Sequence, residues 1–172
     1  MSPFPLKNAR QPGPVTLSDG RELRFSPGKH GKLQAAIVKD FAPRVIEKPK
    51  VLYFGKTGKK GPSIDLLSFC ALHMEVTDHD KLPDIVLLDS ARNWLFLIEA
   101  VTSHGPMNPK RVLELKKMFK NCGCGNVFVT AFSDFAEFKR HSNEISWETE
   151  VWIADNPGHM IHYNGDRFMG PR

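Results

Sequence analysis

KLPDIVLLDSARNWLFLIEAVTSHGPMNPKR, residues 81–111, is the stretch that decides the fold. An acid follows a proline at the head of an apolar strand (84–89), and a four-residue turn, S-A-R-N, leads into a second apolar strand (94–101) with an acid near its end. S-H-G-P (103–106) then breaks the pattern before a basic helix start. Fourteen residues lie between Asp84 and Glu99, so a hairpin with this spacing brings both carboxylates to one place. An acid inside an apolar strand is costly unless something satisfies it. Two such acids side by side repel, and that repulsion calls for a bound cation. Mg²⁺ suits oxygen ligands and keeps several waters. The layout is that of a metal-dependent phosphodiesterase.

Working outward, the chain alternates helices and strands. Leu33, Ile37 and Phe41 recur at helical spacing after Pro27-Gly28, and Pro43 is expected to end that helix. KVLYFG (50–55) reads as a buried strand, KTGKKGP (56–62) as a basic loop and SIDLLSFCALHM (63–74) as a second helix. Asn108 is placed to cap a helix with Pro109 in its first turn, burying Val112, Leu115, Met118 and Phe119. NVFVTAF (126–132) is a further strand, and 134–142 a short helix. Residues 148–155 and 159–165 form a final strand pair around Asn156-Pro157-Gly158. Long apolar strands between helices predict an α/β chain whose mixed sheet carries helices on both faces. Residues 1–27, with five prolines, read as a tail or linker containing one D-G hairpin at 17–23; residues 28–172 read as the folded domain.

Composition sets the remaining bounds. A length of 172 residues suits one domain. No apolar run is long enough to cross a bilayer and no signal peptide opens the chain, so the expected compartment is the cytoplasm. Three cysteines, Cys70, Cys122 and Cys124, argue against a disulfide framework, and Cys122-Gly123-Cys124 has no nearby partners for zinc. The net charge of +5 permits a polyanionic partner without demanding one.

The αβββαβ order, with Pro83-Asp84 on one strand and Glu99 on the next, resembles the PD-(D/E)XK nuclease fold. More narrowly, KLPDIVLLD, NWLFLIEAVTSHGP, WETEVWIAD and HMIHYNGDRFMGP, with GKHGKLQ and VLYFG before them, resemble the C-terminal catalytic domain of BsuBI/PstI-type type II restriction endonucleases. The resemblance covers roughly residues 27–171 and implies a PD-(D/E)XK core with a C-terminal β-hairpin. It implies a Mg²⁺-dependent endodeoxyribonuclease that cuts double-stranded DNA at a specific, palindromic site as a homodimer. Family enzymes also carry an N-terminal region, expected to read DNA, that the matched segments do not include.

Residue by residue, the resemblance puts Asp84, Glu99 and the Ala100 backbone carbonyl at the metal. The lysine expected two places after the second acid is replaced by Val101, and an aspartate expected after Gly55 is replaced by Lys56. Lys110, in the first turn of the next helix, is the expected substitute for the missing lysine, with Lys56, Lys59, Lys60 and Lys81 as rivals. Phosphate contacts are assigned to Lys56, Lys59, Lys60, Ser103, His104, Lys110 and Arg111, and more weakly to Lys116 and Lys117. The two departures also support an alternative, a DNA-binding module on a nuclease scaffold that no longer cuts.

Other candidates carry less. Adjacent Ser103 and His104 point apart on an extended chain and lack the G-x-S-x-G elbow of a hydrolase triad. Glu47, Asp65 and Glu75 are possible third acids, but each reads more readily as a solvated helix or loop position. His30 and Gln34, one turn apart, face the site or a groove, or read equally as a capping histidine and a surface glutamine. His159 and His162 fall on opposite faces of a strand and cannot share a zinc ion. Trp147, Trp152, Tyr163 and Phe168 are expected in the core. Asn164, Arg167 and Arg172 are chemically able to read bases.

Overall fold

The computed structural model describes residues 12–55, 63–64, 82–165 and 170–171. A seven-stranded mixed sheet, ordered β4-β3-β5-β6-β7-β8-β9, forms its centre. The strands are β3 (Lys50–Phe54), β4 (Ser63–Ile64), β5 (Ile85–Asp89), β6 (Trp94–Ala100), β7 (Gly125–Phe132), β8 (Thr149–Ile153) and β9 (Met160–Tyr163). β6, β7 and β8 run parallel, and every other pairing is antiparallel. Helix α1 (Lys29–Ala36), a π-helical turn (Ile37–Phe41) and α2 (Ala42–Val45) cover one face; α3 (Pro109–Met118) and α4 (Phe135–His141) belong to the clusters on the other. Alternate strand residues therefore feed different cores. Val51, Ile85, Leu87, Phe96, Ile98, Val129 and Trp152 join the α1 side, while Leu52, Val86, Leu95, Leu97 and Phe128 join α3. A strand buried on both faces has no polar side to show, which explains the near-continuous apolar runs.

The β5–β6 hairpin is fixed by its turn. Asp89 is buried and its carboxylate accepts from the N–H groups of Ala91 and Arg92 at 3.1 and 3.3 Å. Arg92 returns an ion pair to Asp89, donates to the Val45 carbonyl and lies 4.2 Å over the Trp94 ring. Asn93 takes the left-handed conformation, φ 57°, that closes the turn.

Several expectations change. Pro43 does not end the first helix; it follows the π-helical turn directly and falls in the first turn of α2. The segment expected to open a helix at Ser63 begins instead as β4, paired with β3; residues 65–74 lie outside the described residues. Trp147 is not in the core: it is 68% exposed and touches Tyr163 at its edge. Trp152 is fully buried, Tyr163 is partly buried, and Phe168 lies outside the described residues. Residues 12–27 are more than a tail, since β1 (Val15–Thr16) and β2 (Glu22–Leu23) form a hairpin that leads Leu23 and Phe25 into the core.

Candidate active site

The hairpin register brings the two acids together. Ile85 pairs with Ile98, so one step further places Asp84 opposite Glu99. Asp84 is held from three directions. Its carbonyl accepts from Gly55 N–H at 2.9 Å, and its Oδ2 accepts from Ala100 N–H at 2.8 Å. Its Oδ1 lies 3.5 Å from Nε2 of His30. Within a strand, the N–H and C=O of one residue point to the same side, so the Ala100 carbonyl is turned toward the Asp84 edge as well.

His30 reaches Asp84 from the first turn of α1, and its Nδ1 lies 3.1 Å from the Thr102 hydroxyl. Glycine at 31 lets the Ser26 backbone pack against this first turn: a Cβ there would lie 1.7 Å from the Ser26 carbonyl oxygen. The Asp84 contact raises the His30 pKa against the opposing effect of burial. Gln34, one turn on, is buried and donates to the Gly55 carbonyl at 2.6 Å, bracing the residue that pins Asp84.

Glu99 is 8% exposed, and its Oε1 accepts from Arg111 Nε at 2.6 Å. Burial foremost, then the charge of Asp84, pushes its pKa up to about 7, although Arg111 opposes that rise. Asn108 caps α3 by accepting from Arg111 N–H at 2.9 Å, which aims the first turn of this helix at the site. The cavity between the acids and α3 measures about 390 Å³. It is lined by Asp84, Glu99, His104, Asn108, Lys110 and Arg111, among others. Its roof is tied down by Met107, whose N–H donates to the Thr130 hydroxyl at 3.1 Å and whose carbonyl accepts from Ser146 N–H. Thr130→Val should leave that buried N–H without a partner and cost about 1–3 kcal/mol. At this length the loss lowers Tm by about 3–10 °C. Thermal denaturation checks it, and an unchanged Tm would show that this bond does not hold the roof.

The donor set fits a small hard divalent cation: two carboxylates and a main-chain carbonyl are all oxygen ligands. Among the described residues no group of three or more His, Cys, Asp or Glu side chains is placed to hold a metal ion. An ion here would therefore complete its shell with the carbonyl and water.

The remaining candidates separate clearly. Lys110 lines the cavity, but its side chain is 86% exposed and its amine lies 4.0 Å from Glu114. Ser103 and His104 are exposed and contact each other at 3.2 Å. Glu47 is exposed and lines a different cavity. Lys116 and Lys117 are exposed further along α3. Cys122 and Cys124 are free thiols. His162 pairs with buried Glu150, and His159 contacts Asn156. Lys56, Lys59, Lys60, Asp65, Cys70, Glu75, Lys81, Arg167 and Arg172 lie outside the described residues. Sequence reasoning missed the Arg111–Glu99 pair and the Thr130 anchor. A threonine amid the apolar NVFVTAF was the available signal for the second.

Among the described residues no helix is long and apolar enough to cross a membrane. Residues 13–166 match the model of the BsuBI/PstI restriction endonuclease domain. The chain is 45% identical over 158 residues to the type II restriction enzyme BsuBI of Bacillus subtilis, covering 92% of this chain and 50% of that enzyme. It is 35% identical over 163 residues to the type II restriction enzyme AplI of Arthrospira platensis, covering 90% of this chain and 50% of that enzyme. Its fold matches the solved structure of the SdaI restriction endonuclease with a TM-score of 0.84 at 40% identity, over 92% of this chain and 50% of that one. The chain thus spans about half the length of the relatives it matches. With a matched family model and a shared fold over nine-tenths of its length, the chain belongs to the BsuBI/PstI restriction endonuclease domain family.

Proposed function

We propose that this chain is the catalytic part of a Mg²⁺-dependent type II restriction endodeoxyribonuclease that hydrolyses phosphodiester bonds of double-stranded DNA at a specific, palindromic site. The observation that carries the proposal is the placing of Asp84 and Glu99 side by side, in one cavity with Lys110 and Arg111, in a member of a restriction endonuclease family. Asp84, Glu99 and the Ala100 carbonyl hold the ion. When bound, Mg²⁺ supplies a more acidic water and offsets charge on the phosphate.

The chain's own groups do the rest. Ala100 N–H and His30 fix the Asp84 carboxylate, so it meets the ion without rearranging. Lys110 at the cavity mouth, with Ser103 and His104 on the neighbouring loop, contacts the phosphate backbone of the strand being cut. One such site cuts one strand, so a palindromic target calls for two copies related by a two-fold axis. DNA as substrate places the protein in the cytoplasm.

Plasmid DNA at low salt, with and without Mg²⁺, tests this. Wild type should yield discrete fragments only with Mg²⁺. Asp84→Asn keeps an oxygen for the Ala100 N–H but loses the charge, and should cut about 10³-fold more slowly. Equal cleavage by the two proteins would refute the site. Binding without scission by wild type would favour the DNA-binding scaffold that Val101 and Lys56 suggest.

A further inference from the structure

Arg111 is the one lysine or arginine, among the described residues, ion-paired with either acid. Its side chain is 19% exposed, against 86% for its neighbour Lys110. Two carboxylates lock its guanidinium in place: Nε donates to Glu99 Oε1 at 2.6 Å, and Nη1 to Glu114 Oε2 at 3.4 Å. Nη2 makes no hydrogen bond among the described residues. A guanidinium fixed at one edge, with a donor left over beside the acids, presents a preorganised cationic group to whatever anion enters. Holding a second carboxylate, Glu114, for this purpose alone would be unnecessary if Arg111 served only to neutralise Glu99.

The strand offers no rival. Val101, on the same face as Glu99 and two residues on, is 1% exposed within the apolar cluster of Phe132, Phe138 and Ile145. On the opposite side of Asp84 stands His30, whose second nitrogen is engaged by Thr102. Among the described residues, the arginine or lysine best placed for a phosphate seated over the two acids is therefore the one already bound to Glu99.

We infer that Arg111 is a catalytic residue of this site: through Nη2 its guanidinium takes a non-bridging oxygen of the scissile phosphate and holds the charge that grows there as water adds. This rests on the phosphodiester hydrolysis proposed above. In that step a bond forms between water oxygen and phosphorus and the bond from phosphorus to one ester oxygen breaks. The attacking water gives up a proton, the departing ester oxygen takes one up, and no electrons are gained or lost. Arg111 donates hydrogen bonds and transfers no proton in this step.

Calorimetric binding of thymidine 3′,5′-bisphosphate to the full chain, with and without Ca²⁺, tests the assignment. Arg111→Met keeps the Asn108 cap, which uses the backbone N–H, and should weaken binding about tenfold or more. Arg111→Lys, which keeps a charge and a flexible stem, should fall between that variant and wild type. Plasmid cleavage by Arg111→Met should slow by about 10²-fold or more. Arg111→Met binding the bisphosphate within about threefold of wild type would overturn the inference. So would an Arg111→Lys no better than Arg111→Met, or a larger loss in Lys110→Ala than in Arg111→Met. Wild-type binding that ignores Ca²⁺ would instead refute the metal-dependent reading. The ratio of Arg111→Met to wild type, read in either buffer, would still judge Arg111.

Discussion

Glu99→Gln is expected to stabilise the metal-free protein at pH 8 while abolishing cleavage. The reason is the pKa of Glu99, raised from 4.5 to about 7 chiefly by burial and then by the Asp84 charge. A folded state that raises an acid's pKa favours the protonated form. The charged form therefore costs stability, a cost absent below pH 4.5, growing as the pH rises through that interval and complete above 7. The shift corresponds to about 3 kcal/mol, and the lost Arg111 bond offsets part of it, leaving a gain of about 1–3 kcal/mol. At this chain length Tm should rise by about 3–10 °C at pH 8. The difference should vanish near pH 4. Added Mg²⁺ should raise the Tm of wild type and leave Glu99→Gln where it was, because only the ionised site gains from the ion. A Glu99→Gln protein that melts at or below wild type at pH 8, free of metal, would show that the carboxylate is not strained as placed. Such stored instability is common where function needs a charge that folding alone would exclude.

The same physics explains what the sequence made legible and what it did not. Asp84 and Glu99 could be picked out because one heads an apolar strand and the other interrupts the next, and the S-A-R-N turn sets the register that pairs them. The Asn108-Pro109 helix start was legible because capping is local chemistry. Choosing between Lys110 and Arg111 was not. The two are neighbours on one helical turn, about 100° apart around the axis, so which one faces Glu99 depends on how α3 sits against the sheet. Local sequence carries no such information. The π-helical turn was hidden because the buried Ile37, Val38, Phe41 and Ala42 fall at the spacing of an ordinary α-helical stripe, which a π-turn does not alter enough to read. Trp147 misled because aromatic size predicts burial on average, whereas its place, in the turn entering β8, leaves it at the surface. Leu23 and Phe25 were hidden among prolines, which mark turns but say nothing of what the intervening residues pack against.

Val101→Lys, which restores the lysine spacing usual for such sites, is expected to break the fold rather than improve the enzyme. Val101 is 1% exposed and belongs to a cluster with Phe132, Phe138, Ile145, Val151 and Ile153, none of which can accept a hydrogen bond through its side chain. Lysine there must force a longer stem into a filled space, at about 1–3 kcal/mol. Its amine must also lose its charge or pull water into the cluster; a pKa driven down toward 6 costs about 5 kcal/mol at neutral pH. The total lowers Tm by about 12–32 °C. A lysine whose pKa falls on folding binds fewer protons in the folded state, so the deficit should shrink as pH rises toward 10. Val101→Met, which adds length without charge, should lose only a few degrees and no pH dependence. Val101→Lys melting within a few degrees of wild type at pH 7 would mean that the amine escapes to the cavity beside Glu99, and that a lysine can work from the strand after all. If the large loss is seen, this position has been given over to packing under α4, and among the described residues the cation on offer is on α3, where Arg111 already holds Glu99.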